Sequence, residues 1–251
     1  MANSDRATAP AVVRAVHILA YLAEHSSAQR LTAIAGAIGI PVSSTAAICN
    51  ALEAERMIVR RSEGYVLGPL NVELAQRFLS QLQPLSAFAD VVAEHKALRH
   101  ETVQMALLDG FDVLYVARRD SDQPFLISSA VGKRLPANCT AVGKASLALL
   151  EPDQRRFPKS LPSLTDKSLD DPEALTLAVE EAAERGYAVD DEETSPGVMC
   201  LGVARKTPRN EVYGISATLL KSRFTIKLRD AIVADLKATA DELFPPPLQS
   251  A

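Results

Sequence analysis

The stretch from Leu31 to Gly68, LTAIAGAIGIPVSSTAAICNALEAERMIVRRSEGYVLG, constrains the fold more than any other part of the chain. Thr32 can cap a helix over Ala33 to Ile38, and Gly39 supplies the left-handed exit that ends one. Ile40 and Pro41 turn the chain, and proline is well suited to open the next helix, expected from about Pro41 to Ala54. Thr45, Ile48 and Leu52 fall on the inner face of that helix, while Ser43, Ser44, Ala47 and Asn50 face outward. Strand-like segments at Ile58 to Arg61 and Tyr65 to Leu67 flank the turn signal Ser62-Glu63-Gly64. Helix, glycine turn, helix and hairpin make the outline of a winged helix-turn-helix, whose second helix enters the major groove N-terminus first.

Candidate DNA contacts follow from that outline. They are Thr32 at the start of the first helix, Ser43, Ser44, Thr45, Ala47 and Asn50 on the second, and Arg60 and Arg61 at the wing. The hydroxyls of Ser43, Ser44 and Thr45 can reach phosphates or a base edge, and Ala46 and Ala47 can meet thymine methyls. Asn50 is the one amide suited to adenine. Arg60 and Arg61 are placed for phosphates. Residues 1–68 hold six arginines against five carboxylates, a net +1, so the remainder carries −5 of the total −4. The split has the sign expected of a DNA-binding head on an acidic body. The head has no lysine, which predicts weak binding per monomer and affinity gained by avidity and by arms such as Arg6.

The remaining sequence divides as follows. Residues 1–10 read as a disordered arm, 11–68 as the head, 69–84 as a linker helix, and 85–251 as a larger α and β unit. The head opens with an amphipathic helix, Ala11 to His25, with Val12, Val16, Leu19 and Leu22 or Ala23 at helical spacing, and with His17 either a functional group or, as is commoner, a packing residue. Leu70, Leu74, Phe78 and Leu82 recur at i, i+4 along the linker helix, which Pro84 ends. A helix over Leu85 to Arg99 follows. Thr102 to Leu108 and Val113 to Arg118 read as strands around the Asp109-Gly110 turn, and Pro124 to Ser129 as a third. Val131 to Asn138 reads as a loop before a helix near Cys139 to Leu150, and 151–171 as another loop. Pro172 to Arg185 reads as a helix stopped by Gly186. Tyr187 to Asp190, Val198 to Ala204 and Val212 to Leu219 read as strands, and Ile226 to Leu243 as the last helix. The fold class is therefore α+β, with an antiparallel sheet in the second part.

Several classes are disfavoured. No apolar run approaches the ~20 residues a membrane helix needs, and MANSDRATAP lacks a signal-peptide core. Cys49, Cys139 and Cys200 are odd in number and far apart, so they form neither a disulfide framework nor a finger spacing, and a reducing cytoplasm fits. His95 and His100, five apart, do not share a helical face, so no metal is expected. An enzyme would need Cys200 as nucleophile with Asp190 or Glu192 as acid or base. No histidine neighbours a cysteine, and no phosphate loop, HExxH or GxSxG occurs. Neither catalytic residues nor a cofactor are expected.

Read in order, VVRAVHIL, LTAIAGAIGIPVSST, YVLG, ETVQMALLDG, LPANCTAVGKASLALL and RGYAVDDEETSPGVMCLGVA resemble the IclR family of bacterial transcriptional regulators, over about Val12 to Leu243. The resemblance implies a winged-helix head, a linker helix and a C-terminal effector-binding domain related to the GAF fold. It also implies dimers, often paired into tetramers, acting mostly as repressors and sometimes as activators, with small organic acids or aromatic metabolites as effectors; two heads in a dimer would then read a pseudo-palindrome in double-stranded DNA. It places the effector between the loop opening the TAVGKA helix and the sheet, at Ala141, Val142, Asp190, Cys200, Ser216 and Thr218. Amides at a helix start attract a carboxylate, and Ser216 and Thr218, on alternate strand positions, share a sheet face. Asp190 suits a ligand hydroxyl or a loop N–H. A departure lies in the recognition helix, where Val42 and Ala47 stand in place of the family's basic residue and arginine. The other reading consistent with these residues is a sensor module whose head has lost sequence-specific DNA binding.

Overall fold

The computed structural model describes residues 9–82, 84–122 and 130–245. The strand expected over Pro124 to Ser129, nearly all of the N-terminal arm with Arg6, and the end of the tail lie outside them. The chain forms two compact units, meeting in sequence between Gln81 and Leu82.

In the first unit, α1 (Pro10–Ala23), α2 (Leu31–Ile38) and α3 (Val42–Ala54) precede β1 (Ile58–Arg61) and β2 (Gly64–Leu67). The two strands pair antiparallel, with Arg61 opposite Gly64. Gly39 ends α2 at φ +72°, the left-handed position that lets the chain reverse into α3. Ile18, Leu22, Ile34, Cys49, Ile58 and Tyr65 form the core of this unit. The strand β2 is held to the rest of the unit by a reciprocal backbone pair, Gln29 to Tyr65 at 2.9 Å and Tyr65 to Gln29 at 2.8 Å. A fourth helix, α4 (Leu70–Gln81), leaves the wing anchored at its start. Asn71 donates to the carbonyls of Met57 and Gly68, and Glu73 pairs with Arg56.

Three expectations for this unit are corrected. Thr32 does not cap α2, which begins one residue earlier with Arg30 at its N-cap and no side-chain cap. Val12 and Val16 do not pack, being 62% and 56% exposed, and His17 is exposed too. The first helix carries two apolar stripes about 100° or more apart, and the core takes the one containing Ile18 and Leu22.

The second unit begins with α5 (Leu85–Glu94), which ends five residues before the expected Arg99, a 3-10 turn over Lys96–Leu98 following it. Its sheet has six strands in the order β5-β4-β3-β8-β7-β6, every pair antiparallel. These are β3 (Thr102–Asp109), β4 (Asp112–Arg119), β5 (Arg134–Pro136), β6 (Ala188–Asp191), β7 (Val198–Lys206) and β8 (Val212–Leu220). The short edge strand β5 falls where a loop was expected. Helices α6 (Ala141–Ala148), α7 (Pro172–Arg185) and α8 (Ile226–Leu243) complete the unit. Residues 212–219 of β8 are buried without a break, so both faces of the central sheet are covered. Among the described residues no single helix is long and apolar enough to cross a membrane.

Candidate DNA-reading face and effector site

The outward face of α3 is built by default from what its core does not take. Thr45 and Cys49 are fully buried and Ile48 and Leu52 pack partly against the core. On a helix of 3.6 residues per turn the opposite side then carries Ser43, Ala47, Asn50 and Ala54, all exposed. Ser44 and Ala46 lie at its edges, half-buried, and Val42 opens the helix at 45% exposure. Thr45 drops out of the DNA-contact set. It is 0% exposed, and its hydroxyl donates to the Pro41 carbonyl at 3.1 Å, satisfying itself inside the head. Thr32 is exposed on the first turn of α2. Arg60 and Arg61 are exposed beside the wing turn, the Arg60 guanidinium 5.8 Å from the Tyr65 ring centre. Arg30 is exposed at the start of α2.

The second site lies on the sheet face beneath α6. That helix can approach because the strands under it are bare. A side chain at Gly202 would meet the Ala141 carbonyl carbon at 2.6 Å and the Val142 nitrogen at 2.8 Å, and one at Gly214 would meet the Val142 Cβ at 2.9 Å. Thr140 caps the helix, its hydroxyl accepting from Gly143 N at 3.0 Å. Helix geometry gives the amides of Ala141 and Val142 no carbonyl partner within α6, so this end can receive an anion.

The register brings the expected residues together. Asp190 pairs with Cys200, Cys200 with Thr218, and Gly202 with Ser216. Alternation along β7 and β8 puts Cys200, Thr218 and Ser216 on the face that meets α6. The Cys200 thiol and the Thr218 hydroxyl share a hydrogen bond of 3.3 Å. Burial, then the Asp190 charge, pushes the thiol well above its ordinary range, so it is not a poised nucleophile. His95 engages Asp235 and Glu242, and His100 engages Asp122, so neither serves as its base. Among the described residues no group of three or more His, Cys, Asp or Glu is arranged to hold a metal ion.

Asp190 is fully buried and already committed. It accepts from Glu193 N at 2.7 Å, Thr194 N at 3.2 Å and Thr194 Oγ1 at 2.6 Å, and so shapes the loop after β6. Burial raises its pKa, opposed chiefly by the Thr194 hydroxyl. The acidic turn Asp191-Glu192-Glu193 splits in two. Glu192 and Asp191 join Lys221 in an outer cluster that Lys167 completes, whereas Glu193 turns inward onto Lys144, both nearly buried.

Four residues of this site were not anticipated. Lys144 and Glu193 form its buried ion pair. Tyr115 and Gln104 stand on the same sheet face, Gln104 opposite Ser216 and Tyr115 opposite Ala106, itself opposite Gly214. Burial, with Cys200 and Asp190 nearby, pushes the Tyr115 phenol up. A lysine inside the small-residue run AVGKASLA was the available signal for Lys144. A lone polar residue in the apolar strand VQMALL was the signal for Gln104.

A winged helix-turn-helix followed by an α+β unit with buried polar residues at a helix start has the architecture of a transcriptional regulator with a DNA-binding head and an effector domain. The family models concur. "IclR helix-turn-helix domain" matches residues 11–62 and "Bacterial transcriptional regulator IclR C-terminal" matches residues 76–244. The chain belongs to the IclR family. It is 29% identical over 249 residues to the "Probable transcriptional regulator SauR" of Cupriavidus necator, spanning 97% of this chain and 98% of that one. It superposes on the repressor BlcR of Agrobacterium tumefaciens with a TM-score of 0.60 at 29% identity, covering 94% and 96% of the two chains. An IclR homologue from Microbacterium hydrocarbonoxydans, solved with 4-hydroxybenzoate, shares the fold at a TM-score of 0.76 and 21% identity, covering 93% and 98%.

Proposed function

We propose that this protein is a cytoplasmic repressor that binds a pseudo-palindromic operator as a dimer or tetramer and is controlled by a small organic or aromatic acid. The observation that carries the reading is the α6 start, whose Ala141–Val142 backbone lies against a sheet bearing Thr218, Ser216 and Cys200. Backbone amides, hydroxyls and a phenol recognise a carboxylate on a small, partly apolar body without spending a free cation. The head contributes Ser43, Ser44, Ala47 and Asn50 to the major groove, and Thr32, Arg60 and Arg61 to phosphates.

Self-association is supported by what the first unit leaves uncovered. Val12 and Val16 on α1 and Val72, Leu74 and Phe78 on α4 are between 41% and 64% exposed, and α4 has no buried residue at all. An amphipathic helix without a buried face gains most of its stability from a partner. Two heads so joined read half-sites about one helical turn apart or a multiple of it. A ligand changes DNA affinity only through its different affinities for the two states of the protein.

The test is binding of the full chain to the duplex upstream of its own coding sequence, with and without a panel of small acids beginning with 4-hydroxybenzoate. Thermal shift of the same mixtures reports ligand binding independently. The expected result is salt-dependent DNA binding that an acid stabilising the protein weakens. DNA binding that no stabilising acid alters overturns the effector mechanism, and absence of binding at low salt leaves the reading of a sensor without a DNA-reading head.

A further inference from the structure

Resting on that DNA-binding reading, we infer that the recognition helix reads A·T pairs, through Asn50 on adenine and through Val42, Ala46 and Ala47 on thymine methyls, and that it reads no guanine directly. The geometry fixes which side chains are eligible. Burial of Thr45 and Cys49 sets the rotation of α3, so that Ser43, Ala47 and Asn50 centre the outward face, Ala46 borders it and Val42 is exposed at the helix start. No arginine or lysine occurs anywhere in 42–54, and the only charged residue in the helix besides its C-terminal neighbour Glu55 is Glu53, half-buried near the last turn. Guanine is recognised in the major groove by a bidentate Arg or Lys on O6 and N7, and this face offers neither. Adenine is recognised by a bidentate Asn or Gln on N6 and N7, and Asn50 is the one amide available.

The short side chains contribute to that reading. Nothing on the outward face is longer than asparagine, so the helix axis can lie close to the base edges, where an alanine or valine methyl touches the C5-methyl of thymine. The basic residues of the head sit elsewhere. Arg30 precedes α2 and Arg60 and Arg61 border the wing, while Arg56 is engaged by Glu73. Phosphate contacts from these positions fix register and supply affinity without sequence information, and base identity is left to α3. Ser43 can donate to either base type and adds no preference of its own.

The experiment is selection of binding sites from a random duplex pool with the full chain, followed by affinity measurement on the selected duplex and two altered forms. The expected half-site has A·T pairs at the positions facing α3. Replacing the thymines there with deoxyuridine removes only the C5-methyl and weakens binding several-fold. Asn50→Ala lowers the preference for adenine at one position by about 5- to 140-fold, the range of one lost bidentate base contact. Selected half-sites with G·C pairs facing α3 overturn the inference, as does a deoxyuridine duplex bound as tightly as its parent. Both results keep the DNA-binding reading intact. A pool from which nothing is selected at low salt overturns both together.

Discussion

Helices α3 and α6 are written in nearly the same alphabet, VSSTAAICNALEA against AVGKASLA, and the structure puts them to opposite uses. In α3 the small residues lie outward, leaving Ser43, Ala47 and Asn50 exposed. In α6 every residue from Ala141 to Leu147 is buried, and the small residues let the helix settle onto Gly202 and Gly214 of its own sheet. On the proposed reading, the first unit therefore binds DNA through side chains that support nothing, whereas the second binds its effector through side chains that are the core. Substitutions should separate binding from stability in the head and entangle them in the effector unit.

The largest expected effect tests that entanglement at Lys144, 2% exposed and paired with Glu193. Lys144→Met leaves Glu193 buried without its countercharge, and should lower unfolding free energy in urea by about 3–5 kcal/mol. Lys144→Met with Glu193→Leu should recover a large part of that loss, since the remaining partner is then apolar as well. A double variant no more stable than the single would show that the lysine serves packing rather than charge.

Next in size are two glycine-to-alanine changes of opposite sign. At Gly202 the new methyl meets the Ala141 backbone at 2.6 Å, so Gly202→Ala should cost about 1–3 kcal/mol and displace the first turn of α6. At Gly36, exposed within α2, a methyl meets nothing within 4 Å, and Gly36→Ala should add about 0.5–1 kcal/mol through helix propensity. Denaturation midpoints of the two variants on either side of the parent would uphold the contrast, and a shared sign would break it.

How much of this was legible in the sequence differs between the same two regions. The head announced itself because Gly39, Pro41 and the Ser62-Glu63-Gly64 turn are local signals, each fixing a boundary within a residue or two. Phase was harder to read there. The first helix is apolar on two sides, and although Leu19 and Leu22 pack as expected, nothing local says that Ile18 rather than Val12 and Val16 joins them. In the second unit α7 and α8 keep their expected bounds, the former stopped by Gly186 as read, and the structure adds the caps Asp171 and Thr225 at their starts. The sheet face under α6 was not readable from alternation, because strands buried on both faces show none. Ser216, Thr218 and Cys200 came from resemblance, and Tyr115, Gln104, Lys144 and Glu193 emerged only from register and burial.

In the head, Arg60→Ala with Arg61→Ala should change urea stability by no more than about 0.5 kcal/mol, both side chains being exposed. The same pair of changes should weaken binding to all DNA sequences alike and lower the salt slope by roughly 2, about one per phosphate contact. A loss confined to one base position would move these arginines from phosphates to bases.

The smallest effect returns to the loop after β6, where a buried ion pair and an exposed cluster lie side by side. Glu192 accepts from Lys167, Lys221 and Gly197 N, which together hold its pKa down at about 2. A carboxyl whose folded pKa lies below its unfolded value of 4.5 stabilises the fold above that value, and the contribution fades as pH falls toward 2. Glu101, Asp190 and Glu193 run the other way, since burial raises each of them and the folded state holds its protons longer. Glu192→Gln should therefore lower the thermal midpoint slightly above pH 5, and the gap to the parent should close on acidification. Because the cluster is open to solvent, the gap should also shrink in high salt. A gap that persists unchanged at pH 2, or at 1 M salt, would show that Glu192 does not act through its charge.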